Sequence, residues 1–382
     1  MRVWFEVIGL SYLLNLDIAF SLWFFAVFAV IERGIFERIG LSIGPYQPFS
    51  DPAPPTVAHQ GLGALIVIVV AGLWGGRRHI KAIFRSAIGR GGDVHHDEIL
   101  SPRWAVIGLV GGLTVATVWL ILAGLQVHYA ILFIVIAFVV FLGLTRAVAE
   151  GGLAYGRAPV NAPIFVVNAV GSSALGPQGF AALGLTFSWA TDVRTLVMAS
   201  AANGLRLADA AGFRTHRFFW AFILAIIVGF VGSTWAVLTL AYTHGGINLS
   251  SWQFIGLPGF AGDWMTLHLK TPSSMAVWHM VFTLIGGILA ALFLFLRHRF
   301  LWWPLHPMGL AIGSTLPMYY VWFSVMLAWL FKWVILKYGG ARVYRRVRPF
   351  FLGLILGDFG SAGLWLVIDG VAGWPGHVLT LG

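Results

Sequence analysis

The chain contains no cysteine. Disulfides, thiolate metal sites and cysteine nucleophiles are therefore excluded. Charge is scarce as well: Asp, Glu, Lys and Arg make up 10% of residues, against about 25% in a soluble globular chain. Acids are the scarcest, with 14 Asp and Glu against 24 Lys and Arg, for a formal net charge of +10. The basic residues sit in loops between apolar runs, which fits anionic lipid faces and argues against nucleic acid as a partner. There is no phosphate-binding Gly-rich loop ending in Lys-Ser or Lys-Thr, no Gly-x-Ser-x-Gly elbow and no His-Glu-x-x-His pair. No nucleophile and base stand at a plausible spacing either, so no enzyme, cofactor or metal is expected.

What fills the chain is apolar. Hydrophobic residues are 59% and mean hydropathy is +0.86. The composition predicts an all-α, polytopic integral membrane helix bundle, with one transmembrane domain over residues 1–382. Eight runs approach the length needed to cross a bilayer: 8–31, 57–76, 104–125, 128–145, 218–241, 277–296, 300–331 and 350–370. The first is too long for a signal-peptide core and reads as a mature helix. The 18 tryptophans fit interfacial belts, as at Trp302, Trp303 and Trp333.

One run is unusual. From Phe300 to Phe331 there is no formal charge, yet both flanks are basic: Arg297 and Arg299 before it, and Lys332, Lys337, Arg342, Arg345, Arg346 and Arg348 after it. Cytoplasmic flanks collect Lys and Arg, and a single crossing would put one cluster outside. Pro304, Pro307, Gly309, Gly313 and Pro317 interrupt the run. A re-entrant hairpin with its tip near Ser314 to Pro317 satisfies both flanks, and such segments line polar pathways. The charge pattern orients the rest. The basic loop 77–103 lies inside, 242–276 is an external loop, and Ala158 to Asn203 is a second broken segment returning to its own side. In a cell membrane the N-terminus then falls on the inner, cytoplasmic side and the C-terminus outside. Every Lys and Arg then faces the cytoplasm except Arg33, Arg38 and Lys270.

Ionisable groups at membrane depth are costly and often functional. Asp17, in the middle of the first run, Glu150 and Asp358 are candidate proton or cation sites. Each has a structural alternative, such as a hydrogen bond between helices. Small residues around Asp358 (Gly353, Gly357, Gly360) would let another backbone approach. Arg146 and Glu150 stand four apart and can pair on one helix face. Tyr155, Asn161 and Asn168 follow at the break. Asn203, Arg206 and Asp209, three apart, would share another face, and Arg206 suits a carboxylate. Arg146, Tyr155, Asn161, Asn168, Asn203, Arg206 and Asp209 form the candidate solute-binding set. His306, Gly313, Ser314 and Pro317 form the candidate gate, although His306 also reads as an interfacial histidine. Asp93, His95, His96, Asp97 and Glu98 look like metal ligands but read as a solvated loop, since no second cluster completes a shell.

Three stretches resemble the oligopeptide transporter superfamily. Trp303-Pro-Leu-His-Pro-Met-Gly-Leu-Ala-Ile-Gly313, with Leu316-Pro317 and Ala328-Trp329-Leu330, is similar to the family's Gly-Leu-Ala-x-Gly segment, its Leu-Pro break and its Ala-Trp ending. Gly353-Leu-Ile-Leu-Gly357-Asp358 is similar to Gly-Leu-Ile-x-Gly-Glu, with Asp358 keeping the charge. Asn203-Gly-Leu-Arg206, with Arg214 downstream, is similar to Asp-Leu-Lys-Thr-Gly, with Asn203 losing it. The resemblance covers the last half of the chain and implies proton-coupled uptake of peptides or metal chelates. Family members are longer, and the chain resembles their C-terminal half. That implies a fragment, a subunit with a partner chain for the other half, or a short relative. A homo-oligomer is a further possible assembly. A channel and a non-transporting scaffold are the rival readings.

Overall fold

The computed structural model describes residues 2–45, 47, 53–90, 99–153, 156–190, 197–212 and 217–373. These form fifteen α-helices and, among the described residues, no strand. In order they are α1 (Phe5–Leu13), α2 (Leu16–Arg38), α3 (Pro55–Gly75), α4 (Arg77–Ala87), α5 (Pro102–Leu122), α6 (Val127–Ala149), α7 (Ala162–Val170), α8 (Ser172–Leu185), α9 (Val197–Ala210), α10 (Arg217–His244), α11 (Leu257–Lys270), α12 (Val277–Arg299), α13 (Pro307–Ile312), α14 (Leu316–Val334) and α15 (Gly340–Ala372). Among the described residues seven helical runs are long and apolar enough to cross a bilayer. The chain is a multi-pass helical membrane protein. The last of those runs, Leu316–Ala372, is 57 residues long. At about 1.5 Å per residue it is far too long for one crossing. A π-turn at Ile335–Gly339 and Gly340 at φ 63° divide it into α14 and α15.

Three stretches differ from expectation. The first run is not one helix: the chain breaks at Leu14–Asn15, so Asp17 lies in the first turn of α2 rather than mid-helix. The Asn15 side chain caps that turn by accepting from the Asp17 N–H at 3.0 Å. Lys332 Nζ donates to the Leu14 carbonyl at the end of α1, where a cation complements the helix dipole. Residues 242–276 contain α11 instead of being only a loop. Arg342 to Arg348 lie on the first turns of α15.

The chain divides into two compact units. The first comprises Met1–Ile68, Gly143–Val160 and Trp278–Gly382. Its post is α2. A Cβ on Gly309 of α13 would stand 2.5 Å from the Ser21 carbonyl, and one on Gly313 would stand 2.8 Å from Phe25 Cβ. The chain therefore climbs α2 in close backbone contact. After Gly313 it turns and descends. Trp329 of α14 packs on Phe20 and Trp23, with ring centroids at 5.2 and 5.4 Å. Lys332 then reaches Leu14. Residues 307–334 thus form a helix–break–helix hairpin along α2. Its tip, at Ser314, lies beside Ala26 and Val30, near the middle of that helix. On the other side α1 packs on α15, where Tyr12 stacks on Phe351 at 3.7 Å. α3 and α12 meet so tightly that a Cβ on Gly63 would overlap the Thr283 carbonyl, and one on Gly286 the Gln60 carbonyl.

The second unit comprises Val69–Leu142 and Asn161–Val277. Within it α8 packs on α11, where Phe180 stacks on Trp264 at 4.6 Å. α7 and α8 meet at Gly171, whose φ of 85° only glycine adopts readily. α8 itself kinks at Gly176-Pro177. α10 buries none of its apolar window, as a lipid-facing helix does.

Candidate functional site

Two polar places lie along α2, at its start and beyond its middle. At the start, Asp17 pairs with Arg297 of α12 at 3.1 Å. One turn on, the Ser21 hydroxyl donates to the Asp17 carbonyl at 2.6 Å and accepts from the His306 N–H at 2.7 Å. His306 is the N-cap of α13, its Nδ1 accepting from the Met308 N–H at 3.1 Å. A neutral ring therefore carries its proton on Nε2. Arg146 grips Glu150 through a bidentate pair at 2.9 and 2.8 Å and donates to the Ile68 carbonyl at 2.8 Å. A Cβ on Gly151, next to Glu150, would stand 2.8 Å from Met308 Sδ, which brings the Arg146–Glu150 pair beside the first turn of α13. Four residues nominated from distant parts of the sequence, Asp17, Arg146, Glu150 and His306, thus share one neighbourhood, and Arg297 joins them. Arg146 uses its fork on Glu150 and Ile68, which is the geometry of a structural clamp.

The second place is the hairpin tip. A space of about 30 Å³ lies against it, lined by Gly313 and Ser314 and by Ala26, Val30, Arg33, Pro54, Val57 and Trp322 among others. A larger cavity of about 250 Å³ is lined by Arg33, Glu37, Gly40 to Gly44, and Pro54 to Thr56. Arg33 and Pro54 border both. The buried hydroxyls of Ser314 and Thr56, at 9% and 2% exposure, have no hydrogen-bond partner among the described residues. Pro317 stands second in α14, immediately past the break. Of the nominated gate residues, Gly313 and Ser314 border the space and His306 sits at the hairpin's base.

The other nominees are placed differently. Asp358 accepts from the Glu6 N–H at 3.1 Å, capping α1 at the end opposite Lys332. A Cβ on Gly353, Gly357 or Gly360 would meet nothing within 4 Å among the described residues. Asn161 is buried at the N-cap position of α7. The Asn168 carbonyl accepts from Ala276 at 2.8 Å. Asn203, Arg206 and Asp209 are exposed on α9. Tyr155, Arg214 and residues 93–98 lie outside the described residues.

Sequence reasoning passed over a buried network beside the cavity. His59 is fully buried, bonded to Thr283 at 2.9 Å and Gln47 at 3.2 Å, with the His279 ring 4.9 Å away. Gln60 donates to Glu32 at 2.5 Å. The available signal was the His59-Gln60 pair at the start of an apolar run, the kind of intramembrane polarity that marks function. Arg33 was visible only as an exception to the charge pattern.

A family model described as a family of unknown function (DUF6785) matches residues 1–380. No curated protein matches the chain, and no solved structure matches it.

Proposed function

The chain belongs to that family of unknown function, and we propose from its own geometry that it is a secondary active transporter of a small polar organic solute. The carrying observation is the hairpin 307–334, whose tip ends near the middle of α2 at a space of about 30 Å³ that shares Arg33 and Pro54 with a larger cavity of about 250 Å³. Broken helices that end at mid-depth against a cavity are where secondary transporters hold their solutes. The solute occupies the larger cavity beside Arg33, which adjoins the small space at the tip. Protons drive its uptake through the cluster of Asp17, Glu150, Arg297 and His306 at the hairpin's base. Asp358 takes part as a cap of α1. Peptides and metal chelates are the solute classes that the resemblance to oligopeptide transporters supports.

Orientation follows from charge. With the N-terminus in the cytoplasm of a cell membrane, the Asp17 end of α2 is cytoplasmic and the Arg33 end external. The cavity then opens outward, and the base cluster closes the cytoplasmic side. A binding site open to one side and sealed by ion pairs on the other is one half of an alternating-access cycle.

The test is uptake into proteoliposomes with and without an inward proton gradient, using di- and tripeptides and their metal chelates. Uptake should follow the gradient and fall by about tenfold or more when Asp17, Glu150 and Asp358 are neutralised together. Uptake that ignores the gradient and survives the triple substitution rejects proton coupling. Passive flux through an always-open pathway would identify a channel instead.

A further inference from the structure

We infer that α4 is a lipid-recognition helix, which lies along the membrane face and holds anionic phospholipid headgroups through Arg78, Lys81 and Arg85. The inference stands apart from the transporter reading and needs only the multi-pass membrane class.

Position comes first. α3 ends at Gly75 and α5 begins at Pro102, and no crossing lies between them among the described residues. Both ends therefore reach the same face of the bilayer. Tryptophan collects at the headgroups. Trp74, in the last turn of α3, and Trp104, in the first turn of α5, are exposed at that level. α4 starts after Gly76 alone, so its first turn stands where α3 leaves the bilayer. Its far end comes back to the same level. A Cβ on Gly89, two residues past α4, would stand 2.9 Å from Arg103 Nη2 in the first turn of α5. A helix with one end at the exit of one span and the other at the entry of the next runs along the surface.

Pattern agrees. Arg78, Lys81 and Arg85 stand at i, i+3 and i+7, share one helix face and are all exposed. Ile80, Ile83 and Ala87 repeat that spacing on the opposite face and are half-buried, and α4 packs along α5. Phe84 and Ile88 are exposed beside the basic row. Cations flanked by exposed apolar side chains match a boundary where phosphates overlie acyl chains.

The cations are also unengaged. Arg77 is not: its Nη1 donates to the Trp74 carbonyl at 2.7 Å and its guanidinium lies 4.8 Å over the Trp74 ring, closing the end of α3. Arg78, Lys81 and Arg85 make no hydrogen bond or ion pair among the described residues. Arg33, Arg146 and Arg297 each have an acid within 3.1 Å. The segment 77–103 holds six Lys and Arg against Asp93, Asp97 and Glu98, and those three acids lie outside the described residues. Three free cations on one face at headgroup level call for an anion that is abundant there, and a phospholipid phosphate is that anion. A zwitterionic lipid brings its own ammonium to the same place, so an anionic lipid fits the row better. An acidic protein or a nucleic acid would leave Phe84 and Ile88 without an apolar partner.

The experiment uses the full chain with Ile88→Cys, the only thiol present, labelled with a small fluorophore in phosphatidylcholine nanodiscs. Trace phosphatidylglycerol or phosphatidylcholine, each with a nitroxide high on its acyl chain, then serves as quencher. At about 0.15 M salt phosphatidylglycerol should quench at about tenfold or more lower mole fraction than phosphatidylcholine. Each of Arg78→Gln, Lys81→Gln and Arg85→Gln should reduce that preference about two- to fivefold, and the triple variant should bring the two lipids to parity. The single variants, at exposed positions, carry the reading if the triple variant does not fold. A stoichiometric amount of soluble polyglutamate should leave the preference in place. Equal quenching by the two lipids in the parent, no quenching by either, or a preference that survives all the substitutions overturns the lipid site. Loss of the preference to polyglutamate overturns it as well and assigns the face to an acidic protein partner.

Discussion

The protein breaks its helices in two ways. In the second unit the break at Gly171 is sealed. Ser172 Oγ donates to the His268 carbonyl at 3.3 Å and accepts from the Ser273 N–H at 2.9 Å. Ser173 Oγ donates to the Ser273 carbonyl at 2.9 Å, and Ala276 donates to the Asn168 carbonyl. In the first unit the break at Gly313–Thr315 is only half closed. Thr315 satisfies its hydroxyl locally, but Ser314, which borders a space of about 30 Å³, has a buried hydroxyl with no hydrogen-bond partner among the described residues. Freed backbone and hydroxyl groups cost free energy in either place. Where neighbouring protein meets them, the break is architecture. Where a cavity meets them, the break is a site.

That contrast makes opposed predictions for the two hinges. The largest effect belongs to Gly171→Ala. It forces a side chain to φ 85° and puts its Cβ 2.5 Å from the Ser273 carbonyl. A loss of about 2–4 kcal/mol is expected, read as a steep drop in thermal unfolding temperature in detergent. Ser172→Ala comes next. It strands the half-buried Ser273 N–H and His268 carbonyl, at a cost of about 1 kcal/mol in the same assay. Asp17→Asn should leave stability nearly unchanged, because the pair with Arg297 is partly exposed, while proton-driven uptake falls by about tenfold. Ser314→Ala should be the quietest in stability, within about 0.5 kcal/mol of the parent, and lose solute binding instead. A large stability loss at Ser314 with normal binding would erase the distinction between the hinges.

The helical, multi-pass class was legible because it rests on composition and run length, which are local. The hairpin's outline was legible too, since Pro304, Pro307, Gly313 and Pro317 interrupt an uncharged run between basic flanks. Other features were hidden because they depend on partners far along the chain. The break at Leu14–Asn15 is held by Lys332, more than three hundred residues away. The buried His59 meets Thr283 and His279 only when α3 and α12 cross at glycines. Arg33 gains its meaning from Ser314 and Pro54, which no spacing rule connects to it. The glycines near Asp358 show the limit of spacing alone: small residues suggest close packing, and among the described residues nothing lies within 4 Å of where their Cβ atoms would stand.

The absence of cysteine makes the central claim directly measurable, because S314C creates the only thiol in the chain. Proteoliposomes of known orientation carrying S314C would be treated with a membrane-impermeant anionic thiosulfonate from each side in turn. Modification from the Arg33 face alone, slowed by triglycine, is the predicted result, because the tip adjoins the cavity beside Arg33 in which the proposed solute sits. Modification only by a lipid-soluble maleimide, from either side and indifferent to triglycine, would mean that Ser314 faces lipid and that the hairpin tip is no solute site.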